Sequence, residues 1–176
     1  MIASEPNDAF EPGSVLNHTY EIETLLARGG IGEVYRARNV ITGRQVAIKS
    51  LSERFARRDD NEVIMIREGA VQDVRHDAVA RTSDCARSEM GTLFLVMDYI
   101  PGTALDTLVK ERRFTVPEIL IIGQRVANGL AACHEKGIIH RDLSPDNIIL
   151  RDDRPEAATI IDFGIAKDTR DEERTI

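Results

Sequence analysis

Apolar and polar positions change their period along the chain, and each change predicts an element. Tyr20, Ile22, Thr24 and Leu26 alternate onto one face over Tyr20–Leu26, the two-residue period of a strand. Gly29, Gly30 and Gly32 predict a turn, Glu33–Arg38 a second strand, Thr42-Gly43 another turn and Gln45–Leu51 a third strand, together an antiparallel meander. From about Asn61 to His76 the period lengthens. Val63, Ile66, Ala70 and Val74 recur at +3, +7 and +11 and predict one face of a helix. The run Leu93–Asp98 (LFLVMD) predicts a buried strand, and Pro101-Gly102 breaks the chain where a lobe boundary is expected. A second long helix is predicted from about Val116 to Lys136, with Ile119, Ile122, Val126, Leu130 and Cys133 on one stripe and Gly137 as its stop. Ile148–Leu150 and Thr159–Ile161 flank the polar loop Arg151–Ala158, as in a small hairpin. Met1 to about Asn17 has no period and is expected to be a loose leader; the last fourteen residues are mostly charged.

Composition narrows the classes. The 176 residues are 42% hydrophobic and 30% charged, a globular balance that excludes a disordered or collagen-like chain. Trp is absent and aromatics are 5%, so the core must rest on Ile, Leu, Val and Ala. Thirty acidic against 23 basic residues, a net charge of −7, give no electrostatic case for nucleic acid or an anionic membrane. Cys85 and Cys133 lie far apart and fit no metal spacing, which predicts a reducing, cytoplasmic setting. Met1–Phe10 lacks the basic start and apolar stretch of a signal peptide, and Leu93–Met97 and Ile119–Ile122 are too short to span a bilayer. A soluble chain is the expectation.

The candidate chemistry lies in short motifs. His140-Arg141-Asp142-Leu143-Ser144-Pro145-Asp146-Asn147 follows the stop of the second helix and precedes a short strand, and Asp162-Phe163-Gly164 begins fifteen residues after Asn147. Two acids and an Asn delivered by two loops at strand ends suit a divalent metal held by oxygen. The stretch Ala27-Arg28-Gly29-Gly30-Ile31-Gly32-Glu33-Val34 joins two strands; its glycines would let backbone N–H groups approach a polyphosphate, although Gly-rich hairpins are commonly only turns. In Val46-Ala47-Ile48-Lys49 the small Ala47 and the cation Lys49 share a strand face, where a lone Lys is ordinarily solvated. Glu68 lies in the first predicted helix, one turn after Ile64, and pairing with it would hold Lys49 rigidly.

Taken in this order, the motifs resemble those of the eukaryotic-type (Hanks-type) serine/threonine protein kinases, bacterial-like, from about His18 to Ile176. The resemblance implies an α+β fold of bilobal protein-kinase type: a leader at 1–17, a complete β-rich N-lobe with the family's αC helix at 18–98, and a hinge with an incomplete helical C-lobe at 99–176. It implies transfer of the γ-phosphoryl group of ATP, with Mg²⁺, to a Ser or Thr hydroxyl of a protein substrate. Asp142 would orient that hydroxyl and accept its proton, while Asn147 and Asp162 would hold Mg²⁺. Lys49, paired with Glu68, would reach the phosphates under the loop Ala27, Arg28, Gly29, Gly30, Ile31 and Gly32. Val34, Ala47 and Ile149 would sandwich adenine, Met97 would guard its pocket, and Asp98, Tyr99 and Ile100 would form the hinge. His140 and Phe163 would stack in an internal hydrophobic column. Arg141 implies control by a phosphate on the activation segment, with Thr169 and Thr175 as candidates, which are equally read as ordinary loop residues.

The chain departs from the family pattern at several points. Ala27 replaces the first loop glycine, and Gln72 and Thr82 stand where apolar column residues are expected. Ser144 stands where Ser/Thr kinases carry a Lys on the transferred phosphate; losing that cation costs on the order of ten- to a thousandfold in rate. The sequence ends inside the activation segment, fourteen residues past Asp162, without Ala-Pro-Glu or the central large-lobe helix, which implies exposed apolar surface or a partner that covers it. The alternative is a truncated pseudokinase acting as a nucleotide- or partner-binding module. A small-molecule phosphotransferase of the aminoglycoside-kinase type is opposed by Arg141 and Phe163.

Overall fold

The computed structural model describes residues 9–29, 32–51 and 74–162. They fall into two compact units, 9–51 with 82–99 and 74–81 with 100–162.

In the first unit, strands β1 (Val15–Leu16), β2 (Tyr20–Arg28), β3 (Gly32–Asn39), β4 (Gln45–Leu51), β5 (Thr82–Arg87) and β6 (Leu93–Asp98) form one sheet in the order β1-β2-β3-β4-β6-β5. Every pairing is antiparallel. Period-two alternation puts Ile22, Tyr35, Ala37, Ile48, Phe94 and Val96 on one face, where they form the core. β5 (TSDCAR) has no apolar alternation; its pairing with β6, whose Leu93–Val96 are all buried, makes it a strand. Thr82 is itself buried there.

The expectation of a loose leader fails for residues 9–17. Phe10 and Leu16 are each 6% exposed and belong to the core. The Phe10 ring lies 5.6 Å from that of Tyr35 and 6.0 Å, edge-on, from that of Phe94. Burying such a side chain stabilises by about 1.5–3 kcal/mol, enough to order a segment without any period of its own.

In the second unit, β7 (Thr103–Ala104), β8 (Ile148–Leu150) and β9 (Ala158–Ile160) pair antiparallel in that order, the last two as the hairpin expected around Arg151–Ala158. Gly102 has φ +156°, and a Cβ on it would run into the Leu150 carbonyl, so the chain can approach β8 only as glycine. Helix α1 (Leu105–Glu111), short and without a side-chain cap, has no counterpart in the sequence reading.

Helix α2 (Val116–His134) starts at a capping box between Thr115 and Glu118 with Pro117 in its first turn. Its stripe is Ile122, Val126, Leu130 and Cys133; Ile119, expected on that stripe, is 55% exposed beside Val116 and Leu120. The helix lies on Val79 and Ile160, joined by a parallel bridge with Ala80 N–H to Ile160 O and Ile160 N–H to Ala78 O, both 2.8 Å. Gly129 makes this possible: a Cβ would sit 3.1 Å from Ile160 Cδ1 and 3.2 Å from the Ala78 oxygen. Residues 74–81 thus belong with the second unit, although the expected first lobe extended over 18–98. Of the helix expected at 61–76, residues 61–73 lie outside the described residues and 74–76 are not helical. No described helix is long and apolar enough to cross a membrane.

Candidate active site

Strand register gathers the candidates of the first unit. Ala27 is opposite Val34, Val34 opposite Lys49, and Ala47 opposite Met97. Directly paired residues share a face, so Ala27, Val34, Ala47, Lys49 and Met97 lie together, on the side away from Ile48. Lys49 is 6% exposed, unlike the solvated Lys that is usual on a strand, and Ala47 is as buried. Leu95, opposite Lys49 and two residues from Met97, shares this face. Alternation along LFLVMD is the signal that finds it, and the sequence reading left it out. Gly29 N–H donates to Gly32 O at 2.8 Å and closes the glycine-rich turn. Arg28 Nε lies 3.7 Å from Glu33 Oε1. Asp98, opposite Val46, points to the other face, with an oxygen 3.8 Å from Arg44. Gly30, Ile31, Glu68 and Gln72 lie outside the described residues.

In the second unit the candidates sit on loops and are tied to one another. Asn147 is buried in the short 3₁₀ turn Pro145–Asn147 that opens β8. Its Nδ2 donates to Asp142 O at 2.8 Å, and its backbone oxygen accepts from Ile161 N–H at 2.9 Å. His140, 2% exposed, meets the Ile161 oxygen through Nε2 at 3.1 Å. A carbonyl only accepts, so Nε2 carries the hydrogen. Burial holds the His140 pKa below its ordinary value, opposed by this bond and by the nearby carboxylates of Asp162 and Asp142. The imidazole is therefore a neutral strut between the two loops. No side-chain pattern announces the part of Ile161, which acts through its backbone.

Arg141 and Asp162 have φ of 63° and 53°, left-handed values that side chains other than glycine rarely adopt. Such backbone persists where surrounding bonds over-determine it, as the ties through Asn147 and His140 do here. Asp142 is exposed, and Ser144 Oγ donates to its backbone oxygen at 3.4 Å. Ile149 lies between the buried Ile148 and Leu150 and faces the opposite side of β8, half-buried, as is Ile100. Phe163, Thr169 and Thr175 lie outside the described residues.

The donor set fits a hard cation. With Nδ2 of Asn147 committed to Asp142, its Oδ1 is the amide atom left for a metal, and Asp162 stands one residue from the Ile161 amide that Asn147 binds. Oxygen ligands supplied by one or two side chains suit Mg²⁺, which completes its shell with water and substrate phosphates.

The profile of the protein kinase domain family matches residues 20–175. The chain belongs to that family. Serine/threonine-protein kinase PknH of Mycobacterium tuberculosis is 35% identical over 160 residues, which cover 89% of this chain and 25% of that protein. Serine/threonine-protein kinase pkn2 of Myxococcus xanthus is 37% identical over 155 residues, 87% of this chain and 19% of that protein. Among solved structures, the M. tuberculosis PknI kinase domain aligns with a TM-score of 0.77 at 28% identity, covering 90% of this chain and 63% of that one. The fold is thus the α+β protein-kinase type of the bacterial Hanks-type kinases, a β-rich first unit followed by a second with the helices α1 and α2 described. The chain spans about a quarter of the length of PknH.

Proposed function

We propose that this chain carries the nucleotide-binding and catalytic residues of an ATP-dependent serine/threonine protein kinase. The observation that carries the proposal is the bonding of Asn147 to the Asp142 carbonyl and to the Ile161 amide, which brings the residues of both loop motifs into one group. Asp142 orients the acceptor hydroxyl and takes its proton as the oxygen attacks the γ-phosphorus and the bond to the bridging oxygen breaks. Asn147 and Asp162 would hold Mg²⁺, which would supply charge neutralisation on the phosphates. Lys49 would hold the phosphates from the sheet, beside the turn that Gly29 and Gly32 close; its expected partner Glu68 lies outside the described residues. Val34, Ala47 and Met97 would contact adenine from their shared sheet face, a role the family resemblance also implies for Ile149, and the backbone of Asp98 to Ile100 would read its edge. Fold supplies no substrate identity, so the acceptor is given only as a protein Ser or Thr.

The test is incubation with γ-labelled ATP, Mg²⁺ and a generic basic protein, alongside a thermal-shift titration with Mg-ATP. Label transfer with a rising midpoint supports the proposal; absence of any shift overturns it. A second reading is a module that binds nucleotide without transfer. Ser144 favours it, since its hydroxyl donates to the Asp142 carbonyl and offers no positive charge to a phosphate. A thermal shift without label transfer selects that reading.

A further inference from the structure

Residues 9 and 10 are bonded to the base of the glycine-rich turn. Ala9 N–H donates to Glu33 Oε2 at 2.8 Å, and Phe10 N–H donates to Tyr35 Oη at 3.1 Å. Tyr35 Oη in turn donates to the same Glu33 oxygen. Glu33 Oε1 faces Arg28 Nε at 3.7 Å, across the hairpin whose turn Gly29 and Gly32 close. From β4, Ser50 Oγ accepts from Glu33 N–H at 3.4 Å and donates to Glu33 O at 3.3 Å. The Glu33 carboxylate, its side chain 16% exposed, therefore collects donors from the segment before β1, from β3 and from β2 on the far side of the turn.

On its β2 side this turn is paired less regularly than on its β3 side, where Gly32 and Glu33 pair with β4 without a shift. β2 slips register twice against β3, between Ile22 and Thr24 and between Leu25 and Ala27, just before the turn. Val34, Ala47 and Met97, by contrast, sit in the unbroken β3–β4–β6 ladder. Phe10, wedged between Tyr35 and Phe94, fixes the donors that reach Glu33.

We propose that residues 9–10 are a strap on the glycine-rich turn and that Glu33 is the positioning residue through which the strap sets affinity for the phosphates of a nucleotide. The proposal rests on the nucleotide-binding reading above. A partner that displaces Phe10 would loosen the turn and weaken the nucleotide, which makes this segment a point of control. The contacts predict a loss confined to the phosphates, because Val34, Ala47 and Met97 belong to the unbroken ladder.

Titration of the purified chain with Mg-ATP and, separately, with adenosine tests this. The proteins compared are the wild type, Glu33→Gln, Phe10→Ala and Phe10→Leu. An amide has one oxygen, so in either orientation Glu33→Gln turns an N–H₂ toward a donor while keeping the fold. Glu33→Gln and Phe10→Ala are expected to raise the Mg-ATP Kd about 5- to 10-fold, with adenosine unchanged within about twofold and Phe10→Leu close to wild type. An unchanged Mg-ATP Kd in Glu33→Gln, or an equal loss for adenosine, would overturn the strap and leave the nucleotide reading standing. Wild-type protein that binds no Mg-ATP would overturn the nucleotide reading, and the strap's role with it. If Phe10→Ala does not fold, Glu33→Gln decides the outcome.

Discussion

In the first unit the candidate residues are placed by register: Ala27, Val34, Ala47, Lys49 and Met97 share a face because each is opposite another or two residues from one. In the second unit Asp142 stands next to, and Asp162 within, left-handed backbone, Asn147 ends a short 3₁₀ turn, and bonds through Asn147 and His140 hold them. Side chains on a regular sheet can be exchanged one at a time without moving their neighbours. Groups on cross-braced loops move together, so damage to one brace should reach every residue it holds.

The largest effect is expected where a loop group meets substrate directly. Asp142→Asn should lower kcat about a thousandfold while the Mg-ATP thermal shift stays within a degree or so of wild type. Next comes the brace. Asn147→Ala removes the donor to the Asp142 carbonyl together with the proposed cation ligand, and should lower kcat about a hundredfold and raise the Mg²⁺ requirement. Asn147→Asp keeps an oxygen ligand and loses the donor; retained Mg²⁺ affinity with a low kcat would separate the two roles, and full activity would break the contrast between the units. Val34→Ala, on the sheet, should raise the ATP KM only about fivefold and leave kcat and the Mg²⁺ requirement unchanged.

How much of this was legible in the sequence follows the same division. β2, β3, β4, β6 and α2 could be read because period-two and period-3.6 patterns report a buried face directly, and the shared face of Ala47 and Lys49 followed from spacing. β5 could not, because Thr-Ser-Asp-Cys-Ala-Arg is a strand only through its partner β6. Phe10 had no period to betray it; its order comes from Tyr35 and Phe94, 25 and 84 positions away in sequence. At the site, the loop motifs named Asp142, Asn147 and Asp162, but the bonds that join them run through the backbone of Asp142 and Ile161, which no side-chain pattern encodes.

The smallest effects concern pH, and both have the same sign. Burial holds the folded His140 pKa below its ordinary value of 6.5, so the stability it contributes is full above about pH 6.5 and lost as pH falls through the folded pKa. Glu118 is held at about 2 by the Thr115 backbone N–H, the Thr115 hydroxyl and Arg112, so its contribution is lost between about pH 4.5 and pH 2. Urea unfolding midpoints should fall in two steps on acidification. Thr115→Ala should flatten the lower step and lower the Tm at neutral pH by about 2–4 °C, leaving the upper step intact.

The central claim, that the loop group of Asn147 and Asp162 holds magnesium on a nucleotide, is tested most directly by calorimetric titration of ATP with Mg²⁺ and with EDTA, on wild type and Asp162→Ala. The account predicts that Mg²⁺ tightens ATP binding at least about tenfold in the wild type and that this gain disappears in Asp162→Ala. ATP binding of equal strength with and without Mg²⁺, or a magnesium gain that survives the substitution, would contradict it.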